Sequence, residues 1–318
     1  MKKLLLSAAM LLFLVSCDKE EASVNDTTSG AKLTERGCAS HQVLEEQLRN
    51  DPGLAIRMNE IEEFTKNAVL QNRLVNGKIE IPVVVNVLYR TTAENISLAQ
   101  IQSQIDVLNK DFNATNSDFG SVPALFSGVK ANVGISFVLD VVNRKSTTKT
   151  SWGTNDAMKK TAQGGLNPTS PTTKLNLWVC TIGGGILGYA QFPGGSSATD
   201  GVVIDSKYLG TTGTATAPFN KGRTATHEVG HWMNLRHIWG DATCGNDLVA
   251  DTPTHNAPNY GVPAYPHYST CSGTPVEMTM NYMDYVDDAA MYMFSNGQKS
   301  RMLAAFASGG PRNSFAQP

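Results

Sequence analysis

Residues 227–237 read His227-Glu228-Val229-Gly230-His231-Trp232-Met233-Asn234-Leu235-Arg236-His237. On a helix, positions i and i+4 share a face, so His227 and His231 set two imidazoles toward one zinc ion. Glu228 is the neighbouring carboxylate that can hold and deprotonate a water at such an ion. His237 falls past the helix end, where the chain must turn back to bring in a third nitrogen. Three neutral nitrogen ligands with one position open describe a catalytic zinc rather than a closed structural one. The apolar neighbours Val229, Trp232, Met233 and Leu235 fit a helix buried through the middle of a domain.

The run resembles the signature of the metzincin zinc peptidases, with one departure. Asn234 stands where most metzincins have a glycine that lets the chain leave the helix through a left-handed conformation. Asn is the non-glycine residue that best tolerates that region, so the turn is expected to survive. Downstream, Asn281-Tyr282-Met283-Asp284-Tyr285 supplies a methionine turn. Together the two stretches resemble the pappalysin family and its bacterial, cytophagalysin-like branch, over roughly residues 36–305. The resemblance implies an α+β, metzincin-like fold: a twisted mixed sheet, an active-site helix and an irregular, loop-rich C-terminal subdomain. It implies a zinc-dependent endopeptidase in which Met283 underlies the metal and Tyr285 stabilises the transition state. It also implies that Asp288, after the methionine turn, selects Arg or Lys just after the scissile bond. The bland alternative has Asp287 and Asp288 facing solvent and selecting nothing.

The N-terminus sets the compartment. Lys2 and Lys3 precede an apolar run, Leu4 to Val15, too short to span a bilayer as a mature helix and suited to a signal peptide. It ends at Leu14-Val15-Ser16-Cys17, which resembles a bacterial lipobox with Cys17 as the lipidated residue; an ordinary signal peptide is the alternative. The expected organisation is a lipoprotein signal (1–17), a tether (18–35), a propeptide (36–76) and a catalytic domain (77–318). A cell-envelope or secreted location follows, with membrane association only through the lipid. The net charge of −2 suggests neither nucleic acid nor an electrostatic membrane partner. Proteins or peptides as substrates and a monomeric chain are the simplest expectation.

Four further cysteines are Cys38, Cys180, Cys244 and Cys271. Arg36-Gly37-Cys38 precedes two amphipathic stretches broken at Asp51-Pro52-Gly53. A thiolate is a better zinc ligand than water. The arrangement resembles the cysteine switch of pro-pappalysins, with Cys38 on the zinc in the latent form; a disulfide to Cys180 or a free thiol are the alternatives. Cys180, in an apolar strand, reads as a buried free cysteine. Cys244 and Cys271 bracket a Pro- and Gly-rich stretch that a disulfide would restrain, and the resemblance implies the same pairing. Between them, hard oxygen ligands on one loop suit calcium. The positions implied are Asp247, the Ala250 carbonyl and Thr252, against a turn that caps its own backbone.

Strands are expected at Ile79–Arg90, Val133–Val142, Lys174–Cys180 and Gly201–Asp205, and a helix over Ser97–Phe112 with Ser97 as its N-cap. Gly188 to Phe192, bounded by glycines and Pro193, reads as an edge strand. Gly188 and Tyr189 there are expected to pair main chain to main chain with an extended substrate. Two other functions stay open: an inactive surface binding lipoprotein of the same fold, and a zinc hydrolase of another substrate class.

Overall fold

The computed structural model describes residues 33–71 and 79–316. The expected lipidation site Cys17, the tether up to residue 32 and the boundary near 76 lie outside the described residues.

Five strands form the main sheet in the order β3-β1-β4-β6-β5. These are β1 (Ile79–Tyr89), β3 (Ile135–Ser146), β4 (Leu175–Cys180), β5 (Gly188–Ala190) and β6 (Val202–Asp205). The first four contacts outward from β3 are parallel except the last: β5 runs antiparallel to β6 and closes one edge. The mixed sheet expected from the sequence is therefore present. Strand β2 (Lys130–Ala131) pairs separately with β7 (Phe294–Ser295).

Side-chain alternation gives the sheet two buried faces. Val83, Val85 and Val87 of β1, Leu177 and Val179 of β4 and Ile204 of β6 enter the main core. Leu88, Trp178, Cys180, Tyr189 and Val203 enter a second core on the other face, with Trp152 and Met158. Burial on both faces explains why β1 reads as a near-continuous valine run. Cys180 is free and fully buried there, as expected.

Against the main face lie α3 (Leu98–Phe112) and α4 (Arg223–Trp232), the helix of the histidine motif. Ser97 caps α3 by accepting from the Gln100 N–H. Every residue of α4 is buried. The C-terminal half is irregular until α5 (Asn296–Phe306), which opens with a capping box between Ser295 and Gln298. Cys244 and Cys271 form a disulfide within that half.

The N-terminal segment carries α1 (Ser40–Asn50) and α2 (Leu54–Leu70), with the break at Asp51-Pro52-Gly53. α2 packs against α5. Among the described residues no helix is long and apolar enough to cross a membrane.

Candidate active site

Helix α4 carries His227 and His231 one turn apart, both fully buried, with their Nε2 atoms 3.2 Å from each other. Asn234 ends the helix at φ +74°, in the left-handed region. The chain therefore turns back where a glycine was the usual solution, and His237 Nε2 arrives 3.1 Å from His231 Nε2. Cys38 Sγ completes a group of four ligand atoms that all lie within 4.8 Å of one another.

The second nitrogen of each ring is already engaged. His227 Nδ1 meets the Tyr282 carbonyl at 2.7 Å, and His231 Nδ1 meets the Leu235 carbonyl at 2.8 Å. His237 Nδ1 meets the Asp241 carboxylate at 2.5 Å. Since those partners are acceptors, each Nδ1 carries the proton and each Nε2 presents a bare lone pair. Three converging lone pairs cannot bond one another and call for a cation. Nitrogens about 2.0–2.1 Å from a tetrahedral ion would sit roughly 3.3 Å apart, close to the spacing seen. Burial, reinforced by the neighbouring histidines, pushes His227 well below the usual imidazole range and His231 down to about 3, which keeps them neutral. The donor set fits zinc.

The surroundings fix these rings. A Cβ on Gly230 would come within 2.5 Å of Met283 Sδ, so the methionine turn touches the helix directly beneath the ligands. The Met283 carbonyl accepts from the Ile238 N–H and anchors the stretch behind His237. Trp239 stacks on His237 with ring centroids 4.4 Å apart. Asp241 and Trp239 escaped the sequence reading. Asp241 had a visible signal, an acid four residues beyond the third histidine. An Asp241→Asn variant should weaken zinc binding by about 10–100-fold, because the partner that orients and polarises His237 is lost. Competition with a chromogenic chelator measures it; unchanged affinity would remove Asp241 from the site.

The cleft in front of these residues is filled by the N-terminal segment. Cys38 bridges Gly188 of the edge strand in parallel: the Leu187 N–H donates to the Gly37 carbonyl and the Ala39 N–H to the Gly188 carbonyl. Cys38 Sγ lies 3.3 Å from Glu228 Oε2, and burial followed by the Glu228 charge raises the thiol well above its usual range. Ser40, also missed, donates to the same oxygen at 2.8 Å and accepts from the Ala190 N–H. Burial lifts Glu228 to about 7 despite those bonds. The Tyr285 hydroxyl donates to the Cys38 carbonyl at 3.1 Å, facing the metal position from the opposite wall.

Comparison with known proteins agrees with this geometry. Residues 179–307 match the peptidase family model described as pregnancy-associated plasma protein-A. The chain is 32% identical over 287 residues to an extracellular metalloprotease of Pyricularia oryzae, covering 86% of this chain and 89% of that protein. It is 31% identical over 302 residues to one of Colletotrichum graminicola, covering 90% and 95%. The chain belongs to the pappalysin family of metallopeptidases. Mature mirolysin of Tannerella forsythia, solved with a cleaved peptide, is 43% identical, with TM-score 0.74 over 76% of this chain and 97% of that one. A promirolysin mutant of the same organism is 40% identical, with TM-score 0.81 over 88% and 97%.

The remaining expected positions of this pappalysin fall as follows. Asp288 is fully buried with Arg36 of the segment against it, whereas Asp287 is partly exposed. Asp288 accepts from Arg36 Nη2 at 2.6 Å on one oxygen and from the Lys221 and Arg223 N–H groups, at the start of α4, on the other. Gly188 lies at the cleft edge; a Cβ there would meet the Val203 carbonyl at 2.8 Å and Glu228 Cγ at 3.1 Å, so no side chain fits between strand and helix. Tyr189 does not face the cleft as expected: it pairs with Val203 of β6, while its neighbours meet the segment through the Gly188 carbonyl and the Ala190 N–H. The Tyr189 ring points into the second core, where its hydroxyl bonds Asp156 at 3.0 Å. Asp247 accepts from the Thr252 hydroxyl and the Val249 N–H, the pattern of a turn capping itself. Cys38 and Cys180 are both free thiols, so the disulfide alternative between them is not formed.

Proposed function

We propose that this zinc metalloprotease is an endopeptidase made as a latent precursor and exported to the cell envelope or beyond, and that it cleaves before Arg or Lys. The observation that carries the reading is the N-terminal segment in the cleft, with Cys38 at the three histidines and Arg36 against Asp288. Pairing with the edge strand, as it does, is how an extended peptide would be held. The coverage of promirolysin exceeds that of mature mirolysin by 12% of this chain, about the length of segment 33–71. The lipobox resemblance at Cys17 and the extracellular relatives support export.

A zinc ion on the three nitrogens would supply Lewis acidity to the scissile carbonyl and the attacking water. Glu228 accepts the proton of that water and returns it to the leaving amine. The Tyr285 hydroxyl, which now donates to a carbonyl of the segment, donates to the oxygen that gains charge in the transition state. The Gly188 carbonyl and the Ala190 N–H, now bonded to the segment, would hold the substrate backbone. Arg36 shows what the Asp288 pocket accommodates: its Nε meets the Val286 carbonyl, Nη1 the Thr224 hydroxyl, and its guanidinium lies 5.0 Å from the Phe219 ring. A substrate arginine would find the same charge-assisted bonds.

A casein or gelatin zymogram with and without a chelator tests the activity and separates it from a pure binding protein. Cys38→Ala tests latency. With the thiol gone, the uncleaved chain should gain activity at least several-fold or mature sooner. Equal activity and equal maturation of the two forms would remove the switch. Calcium at Asp247, the Ala250 carbonyl and Thr252 stays a proposal, supported by the burial that lifts Asp247 to about 6 although Arg301 and the carboxylate's hydrogen bonds pull the other way. Calorimetric titration with Ca2+ after chelation tests it.

A further inference from the structure

The N-terminal segment does more than cover the histidines. Glu62 of α2 forms a paired ion bridge with Arg301 of α5, Oε1 to Nη1 at 2.8 Å and Oε2 to Nη2 at 2.5 Å. The two side chains are 19% and 5% exposed. Arg301 Nε donates to the Asn234 carbonyl at 2.7 Å, and the Asn234 N–H donates to the His231 carbonyl at 2.9 Å. The guanidinium is thus fixed at the end of the helix that carries the metal ligands.

A cavity of about 310 Å³ lies beside it, between α1 and α2 on one side and Phe192, Pro193, Arg236, Asp241 and Arg301 on the other. Phe192 and Pro193 continue the line of β5. The segment passes from Arg36 in the Asp288 pocket, over the histidines at Cys38, to His41 at this cavity. The cavity is therefore on the far side of the metal position from the Asp288 pocket. If that pocket takes the residue after the scissile bond, residues before the bond lie here.

The charges on the enzyme wall are unequal. Asp241 gives one oxygen to His237, and its other lies 3.6 Å from His41 of the segment. Arg236 is exposed and acts on Glu62 through space, and Arg301 has Glu62 as its ion-pair partner. When the segment leaves, two guanidiniums face the cleft and the carboxylate paired with Arg301 is gone, while Asp247 still acts on Arg301 through space. A planar guanidinium held rigid by its Nε bond is preorganised for a carboxylate.

We propose that Arg301, assisted by Arg236, forms a subsite for the carboxylate of an Asp or Glu lying upstream of the scissile bond, and that Glu62 occupies this subsite in the uncleaved chain. The inference rests on the peptidase reading above and makes Arg301 a specificity-determining residue. Substrates would carry an acid before the cut and a basic residue after it.

The test uses the full chain, expressed and allowed to mature, with a peptide library that fixes Arg after the scissile bond and scans the upstream positions. One position should show at least about a tenfold higher kcat/KM for Glu than for Gln, falling as salt is raised. Arg301→Gln should bring that ratio close to one, Arg301→Lys should retain part of it, and Arg236→Ala should lower it. If Arg301 merely supports Asn234, Arg301→Gln would lower Glu and Gln peptides alike and keep their ratio, which overturns the proposal. Cleavage with no acidic preference at any upstream position overturns it too. Failure to cleave any library peptide would instead count against the peptidase reading.

Discussion

Glu228→Ala is expected to cost about three orders of magnitude in peptide turnover while the protein keeps its zinc. Three nitrogens hold the ion, and each is fixed by a partner other than Glu228. The carboxylate sits on the cleft side, where it meets only Cys38 and Ser40 of the N-terminal segment. Its removal therefore deletes the proton acceptor and leaves the ligands in place. Elemental analysis and turnover should diverge. A variant that keeps wild-type turnover would disprove this mechanism, and one that loses its metal would show the residue to be structural.

Asp288→Ala should lower the preference for Arg over Leu after the cut by about 100-fold or more, the scale of truncating one partner of a buried charge pair. An apolar side chain entering the native pocket would leave the carboxylate buried and unpaired, which is the proposed origin of the selection. The other oxygen of the carboxylate accepts from the Lys221 and Arg223 N–H groups, so the alanine variant also uncaps α4. Asp288→Asn separates the two effects: it can still accept from the backbone but has no charge to offer. Loss of preference in both variants, with zinc content intact, supports the pocket. A wild-type cleavage map dominated by Leu or Phe at that position would exclude it.

The site was legible wherever its chemistry is local. The histidine motif and the edge strand are features of spacing, while the left-handed Asn234, the methionine turn and the Cys244–Cys271 pair followed from the family resemblance. What stayed hidden is contact between distant stretches. Arg36 meets Asp288 across 252 residues, and Ser40 meets Glu228 across 188, and neither residue type is unusual where it stands. β3 was read as ending at Val142 but runs to Ser146. Its last residues, Asn143-Arg144-Lys145-Ser146, have the polarity of a loop. They extend because β3 is an outer strand whose backbone is held by β1 up to Tyr89, while the side chains stay largely in water.

The parallel bridge between Cys38 and Gly188 bears on the kinetics of activation. On the proposed reading of the Asp288 pocket, the residue in it follows the bond to be cut, and a substrate runs from the metal position toward it. The N-terminal segment runs the other way, since Arg36 precedes Cys38. It can fill the cleft while presenting its own peptide bonds in reverse, and so escape being cut there. While it stays in place, no other part of the same molecule can enter. The cut must then come from a molecule whose cleft is already open, so self-maturation should be autocatalytic, driven by matured copies. Its lag should shorten with concentration and vanish on seeding with a trace of matured enzyme.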